Sequence, residues 1–478
     1  MSFLPAGWQP WLAAFVFLLD VAVTLHVVLR KRDSRAAIAW VGLIWLVPFV
    51  GALLYLLFGL NRIRRHAMEI QRERRRILSG ITQHDAPEWV TGSVRPRLAG
   101  IARIGATLSG RPLVGGNSME ALMNGDEAYP AMLAAIDGAS RSVSLCTYIF
   151  ADDRMGKQFV EALARAVQRG VQVRVLLDDV GLRYGFPPVH WALRRAGVPV
   201  RRFLPLISKS LMAFFNLRNH RKLLVADGRI AFAGGMNIRA NHVIGDGPKN
   251  PVRDVHFRIR GPIVRQLQDA FMEDWTFVTR ETLDGPAWYA EPERAGSISA
   301  RAITAGPDLD FEIMRNVLLG AISSARESIR ITTPYFVPDT SLLSALSIAA
   351  LRGVRVEIVL PSKGNIPPAQ WASRALVWQV LRPGCRVYLS PPPFDHAKLF
   401  VVDRSWALIG TTNWDSRSLR LNFELDVECY DEGFAGSMDD LIGSRIAQSQ
   451  PFTLADADGR PFPARVRDGL ARLLTPYL

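Results

Sequence analysis

Two stretches of the chain carry the same residue types at the same spacing: His220-x-Lys222-x4-Asp227-x6-Gly234-Gly235-x-Asn237 and His396-x-Lys398-x4-Asp403-x6-Gly410-Thr411-x-Asn413. The chain has only seven lysines, and two of them hold equivalent places in these motifs. Coincidence is therefore not a credible account of the pair. Two imidazoles and two ammonium groups, acting without a metal or an organic cofactor, suit phosphodiester cleavage through a covalent phosphoenzyme. An unperturbed imidazole titrates near about 6.5. One neutral ring can thus attack phosphorus while the other, protonated, donates to the leaving alkoxide. Lys222, Lys398, Asn237 and Asn413 would then hold the non-bridging oxygens, whose charge must be stabilised in the transition state. Each imidazole also needs an orienting partner. Asp254 and Glu424 lie downstream of the two motifs and are candidates for it, the alternative for either being an ordinary ion-pair member.

These side chains need elements that aim them. His and Lys two apart on a strand point to one face, so each half offers an imidazole and an ammonium group to a common surface. Asp227-Gly228 marks a tight turn and Arg229 to Ala233 the returning strand of a hairpin. A turn centred there sets Gly235 opposite His220, leaving room and a free N–H for a phosphate oxygen, with Asn237 just beyond. Asp227 and Asp403 read either as members of the catalytic set or, with equal weight, as turn formers alone.

The repeat extends beyond the motifs. Ala135-Ile136 followed by Ser142-Val143-Ser144-Leu145 matches Ala321-Ile322 followed by Ser328-Ile329-Arg330-Ile331, and Tyr148 and Tyr335 come next. Arg169-Gly170-Val171-Gln172-Val173 matches Arg352-Gly353-Val354-Arg355-Val356. Each half reads helix, strand, helix, strand, which predicts an α/β fold with a largely buried sheet in each half. The halves are expected at 95–283 and 304–478. The stretch 284–303, with Gly285, Pro286, Pro292 and Gly296, is the natural linker.

Charge and apolar runs define the remainder. Of 58 Lys and Arg against 44 Asp and Glu, residues 1–80 hold 11 basic and four acidic side chains, a local excess of seven in a net charge of +14. The basic balance predicts attraction to phosphate-bearing partners without choosing among nucleic acid, anionic membrane and phosphorylated substrate. Three scattered cysteines offer neither a disulfide framework nor a zinc ribbon. Trp11–Leu29 and the uncharged Ala36–Leu60, 19 and 25 residues long, would reach roughly 28 and 37 Å as helices, against a hydrocarbon core of about 30 Å. Asp20 and His26 weaken the first span, so the second is the firmer expectation. A signal peptide fits poorly, because Met1 to Pro10 carries no basic side chain. Residues 1–60 thus read as a transmembrane helical hairpin and 61–94 as an Arg-rich juxtamembrane connector. Arg30, Lys31, Arg32 and Arg35 in the turn are outnumbered by Arg62, Arg64, Arg65, Arg72, Arg74, Arg75 and Arg76, which places the C-terminal part on the cytoplasmic side. The apolar stretch 203–217 reads equally as a membrane-dipping lip and as core, and Trp371 and Trp378 raise the same question.

The paired motifs resemble the phospholipase D superfamily, in which two half-sites meet at a pseudo-twofold axis to make one active site. Within it, Ala39-Trp40, Pro48-Phe49-Val50-Gly51 and Tyr55-Leu56-Leu57-Phe58-Gly59 look like the N-terminal membrane segment of bacterial cardiolipin synthases. Asn219-His220-Arg221-Lys222, Gly234-Gly235-Met236-Asn237, Ser416 to Glu424 and Ala471 to Pro476 are similar to that family too, so the likeness covers almost the whole chain. The resemblance implies two α/β/α sandwich halves sharing one site behind the membrane hairpin. It also implies a multi-pass protein of the bacterial inner membrane that joins two phosphatidylglycerol molecules and releases glycerol through a phosphohistidine. By that analogy His220 is the nucleophile and His396 the acid; the residues themselves do not decide it. Thr411 stands where the family often has serine, adding a methyl group near the phosphate. Anionic lipids are the expected partners, and nucleic acid is not expected beside a membrane hairpin. The rivals are another phosphatidyltransferase or a phosphodiesterase of the same superfamily and, from a different class, a non-catalytic binder of anionic lipid.

Overall fold

The computed structural model describes residues 8–31, 33–56, 94–205, 217–306 and 312–475, together with residues 73, 76 and 77. Most of the Arg-rich connector and of the 203–217 stretch lies outside them. Phe203 and Leu217, at the ends of the latter, are buried. Two compact units are present, residues 1–66 and 67–478.

In the N-terminal unit, helix α1 (Trp8–Arg30) is followed by α2 (Ser34–Leu46), whose first turn is capped by the Asp33 carboxylate, and by the short α3 (Val50–Leu54). Among the described residues only α1 is long and apolar enough to cross a membrane, over Gln9–Arg30. The second apolar run, expected to be the firmer span, is not one continuous helix. Pro48 has no N–H to donate, and Phe49 takes a left-handed conformation at φ 65°, which ends α2. The 13 residues of α2 reach only about 20 Å. The ionisable residues that weakened the first run are turned toward the second. Asp20 is buried and its Oδ1 accepts the Phe49 N–H at 3.3 Å. His26 Nδ1 lies 2.9 Å from the Tyr55 hydroxyl, and Trp45 Nε1 donates to Thr24 Oγ1 at 3.1 Å.

The second unit is built on a 15-stranded sheet. The first half supplies β1 (Val114–Met123), β2 (Ser142–Thr147), β3 (Gln172–Asp178), β4 (Val200–Phe203), β5 (Leu223–Ala226), β6 (Ile230–Gly234) and β7 (Val255–Arg260). The second supplies β8 (Ile298–Ala305), β9 (Ser328–Thr332), β10 (Arg355–Pro361), β11 (Arg386–Ser390), β12 (Leu399–Val402), β13 (Trp406–Gly410), β14 (Glu424–Tyr430) and β15 (Gln450–Phe452). The order is β15-β11-β10-β9-β12-β13-β14-β8-β1-β7-β6-β5-β2-β3-β4. Read outward from the β1/β8 junction, the two sides repeat the same sequence of strands, with β15 added at one edge. The expected repeat is therefore present as a pseudo-twofold. The linker is shorter than expected, because Ile298 to Ile303 belong to β8, which pairs with both β1 and β14.

The helix–strand alternation follows the sequence: α4 (Asn124–Asp137) and α5 (Arg154–Gln168) in the first half match α6 (Ile313–Ser324) and α7 (Thr340–Leu351) in the second. Met155, Phe159, Leu163 and Ala166 recur at helical spacing on α5 and are buried against Val143, Val173 and Val175 of the sheet. The other face of the sheet carries a helix at Ile263–Thr279, buried along most of its length, whose counterpart runs from Glu432 to Ala447. Every residue of β2, β5, β12, β13 and β14 is buried, as a sheet covered on both faces requires.

Candidate active site

His220, Arg221 and Lys222 form an extended approach to β5, and His396, Ala397 and Lys398 the equivalent approach to β12. Neither approach is held by its own half alone. The His220 N–H donates to the Phe423 carbonyl at 2.9 Å, and the His396 N–H to the Arg253 carbonyl at 2.7 Å. Parallel bridges between Asn219 and Phe423, and between Asp395 and Arg253, complete the two crossings. Phe423 and Arg253 immediately precede the two carboxylates singled out above, and this backbone register delivers those carboxylates to the opposite half. Glu424 Oε2 lies 2.9 Å from His220 Nδ1, and Asp254 Oδ2 lies 2.9 Å from His396 Nδ1. An ionised carboxylate accepts, so in that state each contact favours the hydrogen on Nδ1 and leaves Nε2 for phosphorus or for a proton.

Arg221, between His220 and Lys222, points to the opposite side, where Asp274 and the Glu424 carbonyl accept from its guanidinium at 2.8 and 3.1 Å. This is the alternation expected of extended chain, with a buried arginine fastening the approach while its neighbours serve the site. Lys222 Nζ donates to the His220 carbonyl at 2.7 Å and sits 5.5 Å from the centre of the Tyr148 ring. Lys398 Nζ donates to the His396 carbonyl.

Burial dominates the electrostatics. It pushes Lys222 down to about 7 and Lys398 down to about 8. Burial, reinforced by both lysines, holds the His220 imidazole well below its ordinary value, and burial with Lys398 holds His396 down to about 4. The two carboxylates diverge. Glu424 is raised to about 7 by burial, while the hydrogen bond and charge of His396 outweigh burial at Asp254 and keep it below the usual carboxylate range. A bound phosphodiester would oppose these shifts, because its negative charge favours the protonated forms of the lysines and imidazoles.

The other expected residues fall into two groups. Asn237 and Asn413 lie on the loops after β6 and β13. Asn237 Oδ1 accepts the Ile149 N–H at 3.0 Å, and Asn413 Nδ2 donates to Ser418 Oγ at 3.1 Å. Gly235 does not fall directly opposite His220. The β5/β6 register pairs Leu223 with Ala233, one residue away from that expectation. A Cβ on Gly235 would lie 2.7 Å from Asp254 Oδ1, so the missing side chain makes space for the carboxylate. At the matching position the Thr411 hydroxyl donates to Glu424 Oε2 at 2.6 Å. Its hydroxyl thus serves the carboxylate.

Asp227 and Asp403 are not brought to the histidines. Each sits in the hairpin turn, at the far end of its strand, with φ 53° and 50°. Asp227 accepts the N–H groups of Ser140, Arg141 and Ser142, and Asp403 those of Arg326, Glu327 and Ser328. Those N–H groups outweigh partial burial and lower the Asp227 pKa. Their catalytic assignment is corrected to the turn-forming alternative, with the added task of fixing the start of β2 and β9.

Sequence reasoning missed what surrounds the histidines. Tyr148 packs edge-on to His220 at 5.2 Å and Tyr335 lies 6.5 Å from His396, centre to centre; their repeat was visible, their contact was not. His242 and His256 are buried, and burial lowers both to about 4, with the charge of Asp254 opposing. No spacing pointed to them. Among the described residues no group of three or more His, Cys, Asp or Glu is placed to hold a metal ion.

The family described as "Cardiolipin synthase, PLD-like domain" matches residues 132–275 and 318–445, and "Phospholipase D-nuclease N-terminal" matches 18–59. The chain is similar to the major cardiolipin synthase ClsA of Bacillus subtilis (strain 168), 32% identical over 98% of this chain and 99% of that one. It is also similar to cardiolipin synthase A of Pseudomonas putida (strain GB-1), 31% identical over 98% of both. Among solved structures, phosphatidylserine synthase from Haemophilus influenzae Rd KW20 superposes with a TM-score of 0.62 at 15% identity, covering 79% of this chain and 100% of that one. That likeness is one of fold.

Proposed function

This chain belongs to the PLD-like cardiolipin synthase family, and we propose that it transfers a phosphatidyl group from one phosphatidylglycerol to another, releasing glycerol. The observation that carries this reading is the crossed pair of His–carboxylate contacts, which makes one two-histidine site from two half-motifs. In the first step His220 Nε2 attacks phosphorus, the P–O bond to glycerol breaks, and His396 gives its Nε2 proton to the departing alkoxide. In the second, His396 takes the proton of a hydroxyl on the acceptor lipid, that oxygen attacks phosphorus, and the P–N bond to His220 breaks. Lys222 and Lys398 hold the non-bridging oxygens. The assignment of the two roles is supported by the carboxylates: Asp254, firmly ionised, is the better partner for an imidazolium, which suits His396 to proton donation. Both histidines are buried, which favours a delivered lipid hydroxyl over water as the acceptor.

The N-terminal unit supports a multi-pass membrane reading, with α1 as one crossing and α2–α3 as a return crossing broken at Pro48. A broken helix is tolerated in a bilayer when its freed backbone groups find partners, and Asp20 supplies one to Phe49. The basic residues after residue 60 support a catalytic unit on the cytoplasmic side of the bacterial inner membrane. One assay tests the function: the full chain is offered phosphatidylglycerol, phosphatidylethanolamine and DNA in the presence of EDTA. Cardiolipin and glycerol from the first, with no cleavage of the DNA, are expected. Phosphatidic acid as the main product would make the protein a hydrolase instead.

A further inference from the structure

Outside the catalytic motifs the two halves share a second repeat. After β3 the chain reads Arg183-x-x-Phe186-Pro187-Pro188-x-x-Trp191, and after β10 it reads Lys363-x-x-Ile366-Pro367-Pro368-x-x-Trp371. Strands β3 and β10 run parallel to β2 and β9. Both segments therefore leave the sheet at the edge where Tyr148 and Tyr335 approach the histidines. The links are short. The Tyr184 ring lies 6.1 Å from Tyr148, and the Tyr335 hydroxyl donates to Asn365 Oδ1 at 2.7 Å. The two loops thus flank the site, one contributed by each half.

Their surface is the reverse of a water-facing one. Phe186 is 91% exposed and Ile366 42%, and Tyr184 and Trp191 are exposed as well. Ile366 lines a cleft with Tyr335 and Ala369, while Phe186 stands almost fully clear of the described residues. Two consecutive prolines follow each tip, and a proline has no N–H that must be satisfied when the backbone leaves water. No Asp or Glu occurs between residues 180 and 203 or between 362 and 385, while Arg183, Arg194, Arg195, Lys363, Arg374 and Arg382 do. Bulky apolar tips with flanking cations and no carboxylates complement one surface in particular, the headgroup region of an anionic bilayer.

We infer that the Phe186 and Ile366 loops are a membrane-inserting rim: their tips enter the headgroup region of an anionic bilayer beside the two histidines, and Arg183 and Lys363 meet the lipid phosphates. The inference rests on the phosphatidyl-transfer reading for its choice of lipid, and it explains how a buried site receives two lipids in succession. Trp371 is held back from the rim, half-buried under the Arg467 guanidinium, which lies 4.7 Å from its ring centre.

Cysteine substitution tests this, because Cys146, Cys385 and Cys429 are buried and leave an introduced surface thiol as the reactive one. The full chain carrying Phe186→Cys or Ile366→Cys is labelled with the fluorophore NBD and reconstituted in phosphatidylglycerol/phosphatidylcholine vesicles containing a lipid spin-labelled near its headgroup. Arg229→Cys, in the hairpin turn at the far end of β5, is the reference. Quenching at 186 and 366 exceeding that at 229 by at least about twofold is expected for tips lying some 5–10 Å into the headgroup boundary. Quenching at both tips equal to the reference, or quenching at one tip only, overturns the two-loop rim. Cardiolipin formation is followed in vesicles of the same composition with unlabelled protein. Tips that quench while no cardiolipin forms would remove the reaction and leave the rim standing, whereas cardiolipin without quenching would do the opposite.

Discussion

His220 and Glu424 belong to different halves of the repeat yet form one hydrogen-bonded pair, Nδ1 to Oε2 at 2.9 Å, and the His220 amide is bonded to the carbonyl of the residue just before that glutamate. His396 and Asp254 repeat the arrangement in the other direction. Neither half alone holds a complete histidine–carboxylate pair. The chemistry accordingly depends on the β1/β8 junction as much as on either motif.

The crossed carboxylates should matter to turnover more than to lipid binding. Glu424→Gln or Asp254→Asn keeps the size of the acceptor but removes the charge that favours the imidazolium and permits the wrong tautomer. A fall in kcat of about 10²–10⁴-fold is expected, with KM changed far less. Initial rates of glycerol release from phosphatidylglycerol vesicles would show it. An equal loss through KM alone would mean that the carboxylates serve binding.

Gly235→Ala should act through Asp254. The added methyl group would stand 2.7 Å from Oδ1, so the carboxylate must shift from the position in which it meets His396. A displacement of this kind costs about 10²-fold in rate, without loss of the fold, and circular dichroism beside the rate assay separates the two effects.

Asp227→Ala and Asp403→Ala should behave in the opposite way. Each removes the acceptor for three backbone N–H groups and should cost about 1–3 kcal/mol of stability, while turnover per folded molecule is retained. Urea denaturation and rates normalised to folded protein check this. Loss of turnover in a stable Asp227→Ala protein would restore the aspartate to the catalytic set.

The lysines set an alkaline limit. With burial holding Lys222 at about 7 and Lys398 at about 8, both are charged below those values and lose the proton as pH rises through them. An anionic substrate binds the charged forms, so kcat/KM, which reports the free enzyme, should decline between roughly pH 7 and 8 and continue to fall above it. The limb for kcat should lie at higher pH, because bound phosphate stabilises the ammonium groups.

The paired H-x-K motifs and the α/β halves were legible because they are repeated, and repetition at fixed spacing survives without any knowledge of contacts; Asp254 and Glu424, which differ in type and spacing, were legible only as carboxylates downstream of each motif. The crossing was not legible. Nothing in Asn422-Phe423-Glu424 states that its backbone will pair with Asn219-His220 some 200 residues away. Asp227 and Asp403 show the converse: a residue can recur in both motifs because both hairpins need the same turn. The break at Pro48 was visible as a residue, but its consequence depended on Asp20, a side chain from another helix, being placed to accept the Phe49 N–H.

The most direct measurement is the stoichiometry of products from phosphatidylglycerol vesicles, in the presence of EDTA, for the unaltered chain and for His220→Ala. The account predicts one glycerol for each cardiolipin from the former and neither product from the latter, with vesicle binding retained. Absence of cardiolipin from the unaltered chain, or its undiminished formation by His220→Ala, would contradict it.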